Sequence, residues 1–464
     1  MMRFFLGLSL LFSIAQSCPS SFLIAFDASS ASSSEAYAVD ELKTFLSSFT
    51  QVDVKTPEEA KGEDSFIAVG TDASFKMGVI SPDDLSDDLG DEGYIMRGDG
   101  SSVALSGLAD APRGTLYAVH EFLREIGFKF VSSDTTVTPA CPGALPKIDK
   151  TFNPLFEYRD NNQDGITTNI DFAVRIGNNR GNFDYAHGST VLYADPPGFV
   201  HTSYHLLGSD NNQPPADLFE SNNEWFWPHD DETAYGQLCW SNSSLQSYLI
   251  ERVRDILTEN PDATIISVSQ NDNGNYCNDT ADAAIIEGEG SPIGPLLRAV
   301  NNIADAIAED FPHVAVDTLA YQYTRAAPKV TVPRPNVMVR LCSIECNFAK
   351  PLTDSTNEAF QRDILAWNEI SDRLYIWDYV TNFQGYLTPF PNWKVLAANI
   401  RFFQQHGVVG LFEEGGYQGP GSDMGPLKDY VIGRMMMEPD IVDDDALIDE
   451  FLDAYFGAAA DKVR

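Results

Sequence analysis

Six apolar segments after about residue 155 run into acids, amides or aromatics at their C-terminal ends. The clearest are Ile265–Asp272, Leu374–Tyr379 and Val408–Glu414. Hydrolysis of a glycosidic bond needs two carboxyl groups, one to protonate the leaving oxygen and one to act on the opposite face of the sugar. Asp272, Asp378, Glu345 and Glu413 are the candidates. Glu414 follows Glu413, and adjacent strand residues point to opposite sides, so only one of the two can face a pocket.

Around these acids stand groups suited to holding a sugar. Trp240, Tyr321, Tyr323, Trp377 and Tyr379 fall near strand ends or loops, and aromatic faces stack on the apolar faces of sugar rings. Asn271 and Glu414 are the polar candidates, and Arg159, Arg325 and Arg340 also lie near strand ends. A guanidinium can grip the carboxylate of an acidic sugar with two hydrogen bonds; the plainer reading is that these arginines orient the catalytic acids. His201 and His205 have i, i+4 spacing, and Cys277, Cys342 and Cys346 are a further possible ligand set. No H-E-x-x-H pattern occurs, and the expectation is no metal site.

Short apolar runs alternating with amphipathic helices predict a parallel sheet, and chemistry at the C-terminal strand ends is the habit of a β/α barrel. The strands expected are Leu155–Arg159, Gly198–His205, Gln237–Ser241, Thr264–Gln270, Val314–Tyr321, Val337–Ser343, Leu374–Tyr379 and Val408–Phe412. Helices are clearest at Leu245–Glu259, Ile293–Glu309, Asn357–Ser371 and Trp393–His406. Eight strands is the barrel number, which places a (β/α)8 TIM-like barrel at 150–440. Residues 441–464 read as the start of a C-terminal helical segment.

Residues 18–147 predict a small α/β sandwich. Its elements are a strand at Ser21–Phe26, a helix at Glu35–Phe49, strands at Phe66–Gly70, Gly93–Arg97 and Ser102–Gly107, a helix at Arg113–Ile126 and a strand at Phe128–Val131. Gly98-Asp99-Gly100 marks a hairpin and Gly127 a helix cap. No catalytic constellation lies here.

Residues 1–17 have the form of a signal peptide, with Arg3, an apolar stretch from Phe4 to Ile14 and a small-x-small end at Ala15-Gln16-Ser17. Six cysteines suit an exported, disulfide-bonded chain; Cys18 and Cys141 bracket the first domain, and the pairing of the rest stays open. The sequons Asn242-Ser243-Ser244 and Asn278-Asp279-Thr280 fit a secretory route. A net charge of −38 argues strongly against a nucleic-acid backbone as partner and disfavours anionic membranes. After the N-terminus no apolar run reaches the roughly 20 residues of a membrane span.

The stretches Tyr321-Gln322-Tyr323-Thr324, Arg340–Cys346, Trp377–Phe383, Pro389–Asn392 and Phe412-Glu413 resemble the domain of unknown function 4838, a family of exported, glycoside-hydrolase-like proteins. The first unit, especially Arg113–Val119, is similar to the non-catalytic N-terminal domain of α-glucuronidases and β-hexosaminidases. In α-glucuronidases the general acid lies on strand four, so the resemblance makes Asp272 the acid. The family keeps the first acid of the last strand, which favours Glu413 as base or nucleophile. Where members carry further cysteines after Cys277 and a Gln after the last-strand Glu, this chain has Asn278-Asp279 and Glu414.

The expectation is a secreted glycoside hydrolase acting on a poly- or oligosaccharide, α-glucuronidase-like or hexosaminidase-like, with no cofactor. The alternative is a non-catalytic carbohydrate-binding protein on a barrel scaffold. A zinc-dependent hydrolase is a third class, distinguished by loss of activity with chelator.

Overall fold

A computed structural model describes residues 17–85, 89–111, 113–180, 187–209, 211, 213–440 and 443–464. The expected signal peptide lies outside them except for Ser17. The chain divides into two compact units, Met1–Lys129 with Val137–Asn153, and Phe130–Thr136 with Pro154–Arg464.

The first unit is a six-stranded sheet with helices. Its strands are β1 (Ser21–Ala25), β2 (Gln51–Lys55), β3 (Phe66–Val69), β4 (Tyr94–Asp99), β5 (Ser102–Ser106) and β6 (Lys147–Phe152), in the order β2-β1-β3-β5-β4-β6. The helices are α1 (Ser33–Leu46), opened by a Ser32/Glu35 capping box, and α2 (Arg113–Glu125). The hairpin between β4 and β5 turns at Gly100, φ +101°, and Asp99 Oδ1 accepts from the Ser101 and Ser102 amides at 2.8 and 2.9 Å. Gly127 follows α2 with φ +104°, as its cap position requires. Sequence reading misses β2 and β6 because both are edge strands whose side chains alternate toward solvent and carry no apolar run. A disulfide joins Cys18 to Cys141.

The second unit is mixed α/β around a curled, six-stranded parallel sheet. Its strands are β7 (Tyr158–Asn162), β8 (Ile265–Ser267), β9 (Ala315–Ala320), β10 (Val337–Cys342), β11 (Leu374–Tyr379) and β12 (Val408–Glu414). The order is β8-β9-β10-β11-β12-β7, so the sheet's first strand in the chain pairs with its last. Helices α3 (Ser243–Glu259), α4 (Thr280–Glu289), α5 (Ile293–Ile307), α6 (Glu358–Asn368) and α7 (Leu396–Gln405) lie between strands in the chain, and α8 (Gly425–Met437) and α9 (Asp444–Phe456) follow β12. α5 turns a continuous apolar stripe inward, including Leu296, Val300, Ile303 and Ile307, which is why its periodicity is legible.

Eight strands are expected and six form in the sheet among the described residues. Gly198–His205 is not a strand: Pro196 and Pro197 lack amide donors before it, and Ser203–Leu206 is a single helical turn. Gln237–Ser241 makes one isolated bridge, Leu238 to Phe226. The expected Leu155–Arg159 strand starts three residues later and runs into Arg159-Asp160-Asn161-Asn162. Its outer backbone is satisfied by side chains: Asn179 Oδ1 accepts from the Arg159 amide at 2.8 Å and Asn178 Oδ1 from the Asn161 amide at 2.9 Å. At the other edge, Tyr193 bridges Ile265 in parallel.

Cys239 pairs with Cys277, and Cys342 and Cys346 are free thiols. No helix among the described residues is long and apolar enough to cross a membrane.

Candidate active site

Register decides which side chains share a face. Trp377 pairs with Phe412 and Tyr379 with Glu414, while Phe412 pairs with Asp160 and Glu414 with Asn162. With a side-chain period of two, Tyr158, Asp160 and Asn162 therefore turn the same way as Phe412, Glu414, Trp377 and Tyr379. Together with Tyr193, Phe199, Tyr321 and Cys342 they line a cavity of about 860 Å³.

Four carboxylates face this cavity: Asp160, Asp195, Asp272 and Glu414. Glu414 is partly buried and accepts a 2.7 Å hydrogen bond from Trp377 Nε1. Burial pushes its pKa up, the Trp377 donor pulls against that, and the nearby Asp272 charge pushes it further up.

Asp272 stands on a loop after β8 that side chains hold in place. Gln237 Nε2 donates to the carbonyls of Asn271 and Asn273 at 2.8 Å each, and its Oε1 accepts from the Asn271 amide at 2.9 Å. The Asp272 side chain is half exposed and accepts from Tyr321 Oη at 3.0 Å, and Tyr321 Oη in turn accepts from Gln322 Nε2 at 2.8 Å. His201 Nδ1 lies 2.8 Å from the Gln270 carbonyl, which can only accept, so Nδ1 carries the proton. Its Nε2 stands 4.0 Å from Asp272 Oδ1. His201 and Gln322 both have φ of +52°, a left-handed conformation rare outside glycine, and both serve the Asp272 network.

Asp160 is buried, and burial raises its pKa although Arg180 Nη1 at 2.8 Å and Tyr158 Oη at 3.0 Å both favour its charge. Beneath the cavity Arg340 is fully buried. Its Nη2 lies 3.4 Å from Asp317 and also donates to Tyr193 Oη. Its charge sits 5.5–5.7 Å from the ring centres of Tyr193, Phe199 and Trp377. Phe199 stacks on Trp377 at 5.7 Å, so the cavity has an aromatic wall backed by a guanidinium.

Of the residues expected from sequence, Asp272, Tyr321, Trp377, Tyr379 and Glu414 line the cavity. Glu413 does not: the register turns Glu414 inward, and Glu413 faces the opposite side of the sheet beside its cross-strand neighbour Asp378. Both are buried, burial raises both pKa values, and the Asp378 charge raises Glu413 further. Ser343 Oγ donates to Asp378.

Glu345 is exposed and pairs with Arg325 at 2.8 Å. Arg159 is also turned away, with Nε on the Gly177 carbonyl at 2.7 Å. Arg340 lies below the cavity, Asn271 and Trp240 are buried outside its lining, and Tyr323 stacks on Tyr276 at 4.9 Å. His205 Nδ1 is used on the Ser209 carbonyl at 2.8 Å. His229, Cys239, Cys277 and Asp279 converge, but the two sulfurs are joined as a disulfide.

Sequence reading passes over Asp160, Arg180, Asp195 and Phe199, and weighs His201 only as a metal ligand. The alternation in Tyr158-Arg159-Asp160-Asn161-Asn162 is the one signal that could have pointed to Asp160.

Residues 130–464 match the family model described as domain of unknown function DUF4838. The chain belongs to that family. Residues 14–122 match the model described as glycosyl hydrolase family 67 N-terminus. No curated protein matches.

Among solved structures, a family GH115 4-O-methyl-α-glucuronidase with specificity for decorated arabinogalactans is 13% identical, with a TM-score of 0.58 over 96% of this chain and 61% of that one. The structure titled CpGH84D is 9% identical, with a TM-score of 0.50 over 96% of this chain and 70% of that one. A family 89 glycoside hydrolase from Clostridium perfringens is 11% identical, with a TM-score of 0.47 over 91% and 51%. This chain thus spans about three fifths of the first of these proteins. The first two likenesses are of fold, and that fold is one glycoside hydrolases use.

Proposed function

We propose that the DUF4838 chain is a secreted glycoside hydrolase acting on a poly- or oligosaccharide, with Glu414 as general acid and Asp272 as the second carboxylate. The observation that carries this reading is the pair itself: Glu414, held by Trp377 Nε1 at 2.7 Å, and Asp272, held by Tyr321 Oη at 3.0 Å, face one aromatic-walled cavity. A general acid must hold its proton at working pH, and burial together with the Asp272 charge favours the protonated form of Glu414. Asp272 faces solvent and accepts from Tyr321 Oη, and it would serve as base or nucleophile. Glu414 would give its proton to the leaving oxygen while Asp272 acts on the opposite face of the sugar ring. Trp377, Tyr379 and Phe199 would stack on the ring, and Arg340 would stiffen that wall from behind.

The curled sheet fits a β/α barrel in which irregular segments around Asn178–Asn179 and Tyr193 stand where two strands would be. Two disulfides and two sequons fit secretion. The neighbours and the family 67 match support a glycosidase of α-glucuronidase-like or hexosaminidase-like descent.

The test is hydrolysis of aryl glycosides and natural oligosaccharides by wild type beside Glu414→Gln and Asp272→Asn. Each substitution is expected to lower kcat by about 10²–10⁴-fold with the fold intact. Full turnover in Glu414→Gln would remove it as the acid. Sugar binding by wild type without turnover would make this a carbohydrate-binding protein.

A further inference from the structure

Four carboxylates line the cavity and one guanidinium faces them, Arg180, whose Nη1 is bonded to Asp160 at 2.8 Å. No lysine lines it among the described residues, and outside those residues the sequence holds one basic residue, Arg3. Arg340 is out of reach, fully buried below the rings of Tyr193, Phe199 and Trp377 and paired with Asp317. His201, the remaining basic group at the cavity, directs Nε2 toward Asp272 at 4.0 Å. Asp195 is exposed at the lining, and among the described residues no hydrogen bond or ion pair engages its side chain.

A sugar carboxylate entering this space would meet like charges, with the cavity's one guanidinium already engaged. A protonated amine would meet the opposite: Asp195 and Asp272, which no lysine or arginine pairs with among the described residues, and the faces of Trp377, Tyr379, Tyr321 and Phe199, whose negative π-clouds attract a cation. We infer that, given the glycosidase reading above, the sugar accepted here carries a free, protonated amine, an unacetylated hexosamine unit, with Asp195 as a specificity-determining carboxylate. Uronic acids are rejected by the same charges, which separates this chain from the glucuronidase it resembles in fold.

The experiment compares kcat/KM of wild type and Asp195→Asn on aryl glycosides of glucosamine, N-acetylglucosamine, glucose and glucuronic acid, in both anomers. Alongside, calorimetry measures binding of glucosamine, N-acetylglucosamine and glucuronate to Glu414→Gln at low and high salt. The free-amine sugar is expected to exceed the acetylated one and the glucuronide by about tenfold or more in both assays. High salt should narrow that margin, and Asp195→Asn should reduce the amine-to-glucose ratio by about threefold or more. Preference for the glucuronide, or equal treatment of amine and N-acetyl sugar, would overturn the inference and leave the glycosidase standing. Absence of all hydrolysis would sink the glycosidase, while the binding order would still decide the amine. No binding of glucosamine would overturn the amine inference outright.

Discussion

The Trp377 indole donates to Glu414 Oε2 at 2.7 Å, across two neighbouring parallel strands. One residue of register sets this contact. Trp377 pairs with Phe412 and Tyr379 with Glu414, so the indole and the carboxyl lie on the cavity face while Asp378 and Glu413 turn away together.

Removing that donor should move the working pH range. The indole N–H stabilises ionised Glu414, so Trp377→Phe should raise the Glu414 pKa. An acid that keeps its proton longer shifts the alkaline limb of the kcat/KM profile to higher pH. The plateau should fall about tenfold as the carboxyl loses its anchor. A limb that moves down, or stays, would show that Glu414 is not the group titrating there.

The pair behind the sheet should make stability depend on pH. Asp378 and Glu413 have folded pKa values above their unfolded ones, by burial and, for Glu413, by the Asp378 charge. The folded chain then binds more protons than the unfolded one. Their contribution is fully present below the ordinary carboxylate range and is lost as pH rises through the raised folded values. Glu413→Gln should flatten the Tm-against-pH curve on the alkaline side and stabilise the protein at pH 8 by about 1–3 kcal/mol. Thermal unfolding from pH 4 to 8 checks it. Loss of stability at every pH would mean that the pair is held by interactions an amide cannot replace.

Asn179 stands where a neighbouring strand would be. Its Oδ1 accepts from the buried Arg159 amide at 2.8 Å and its Nδ2 donates to the Glu157 carbonyl at 2.9 Å. Asn179→Leu should cost about 2–4 kcal/mol, because two backbone groups lose partners that water cannot replace. Since β7 carries Asp160, hydrogen exchange at the Arg159 amide should quicken in this variant. Unchanged exchange would mean that another group covers β7.

In the second unit the strands read best from sequence were those buried on both faces. Leu374–Tyr379 was expected with its observed bounds, and β9, β10 and β12 within two residues, because an apolar run between sheet and helices has few alternatives. Edge strands β2 and β6 were missed, since a half-solvated strand needs no apolar run. β7 was displaced because its polar side chains are buried with partners far away in sequence, such as Asn178, Asn179 and Arg180.

By itself, the sequence determined that acids and aromatics would gather at the C-terminal ends of parallel strands, since that follows from residue order within each segment. It also set the net charge of −38, which disfavours a nucleic-acid backbone as partner. Only the tertiary structure decided which acids meet. Glu413 and Glu414 are neighbours in the chain with similar chemistry, and pairing with β11 and β7 alone turned Glu414 to the cavity and Glu413 away. Asp160 entered the site on β7, and Asp195 and His201 on loops, and contacts across the unit fix the course of all three. No local pattern encodes such contacts, because their energy is realised only when the sheet has curled and the loops have met.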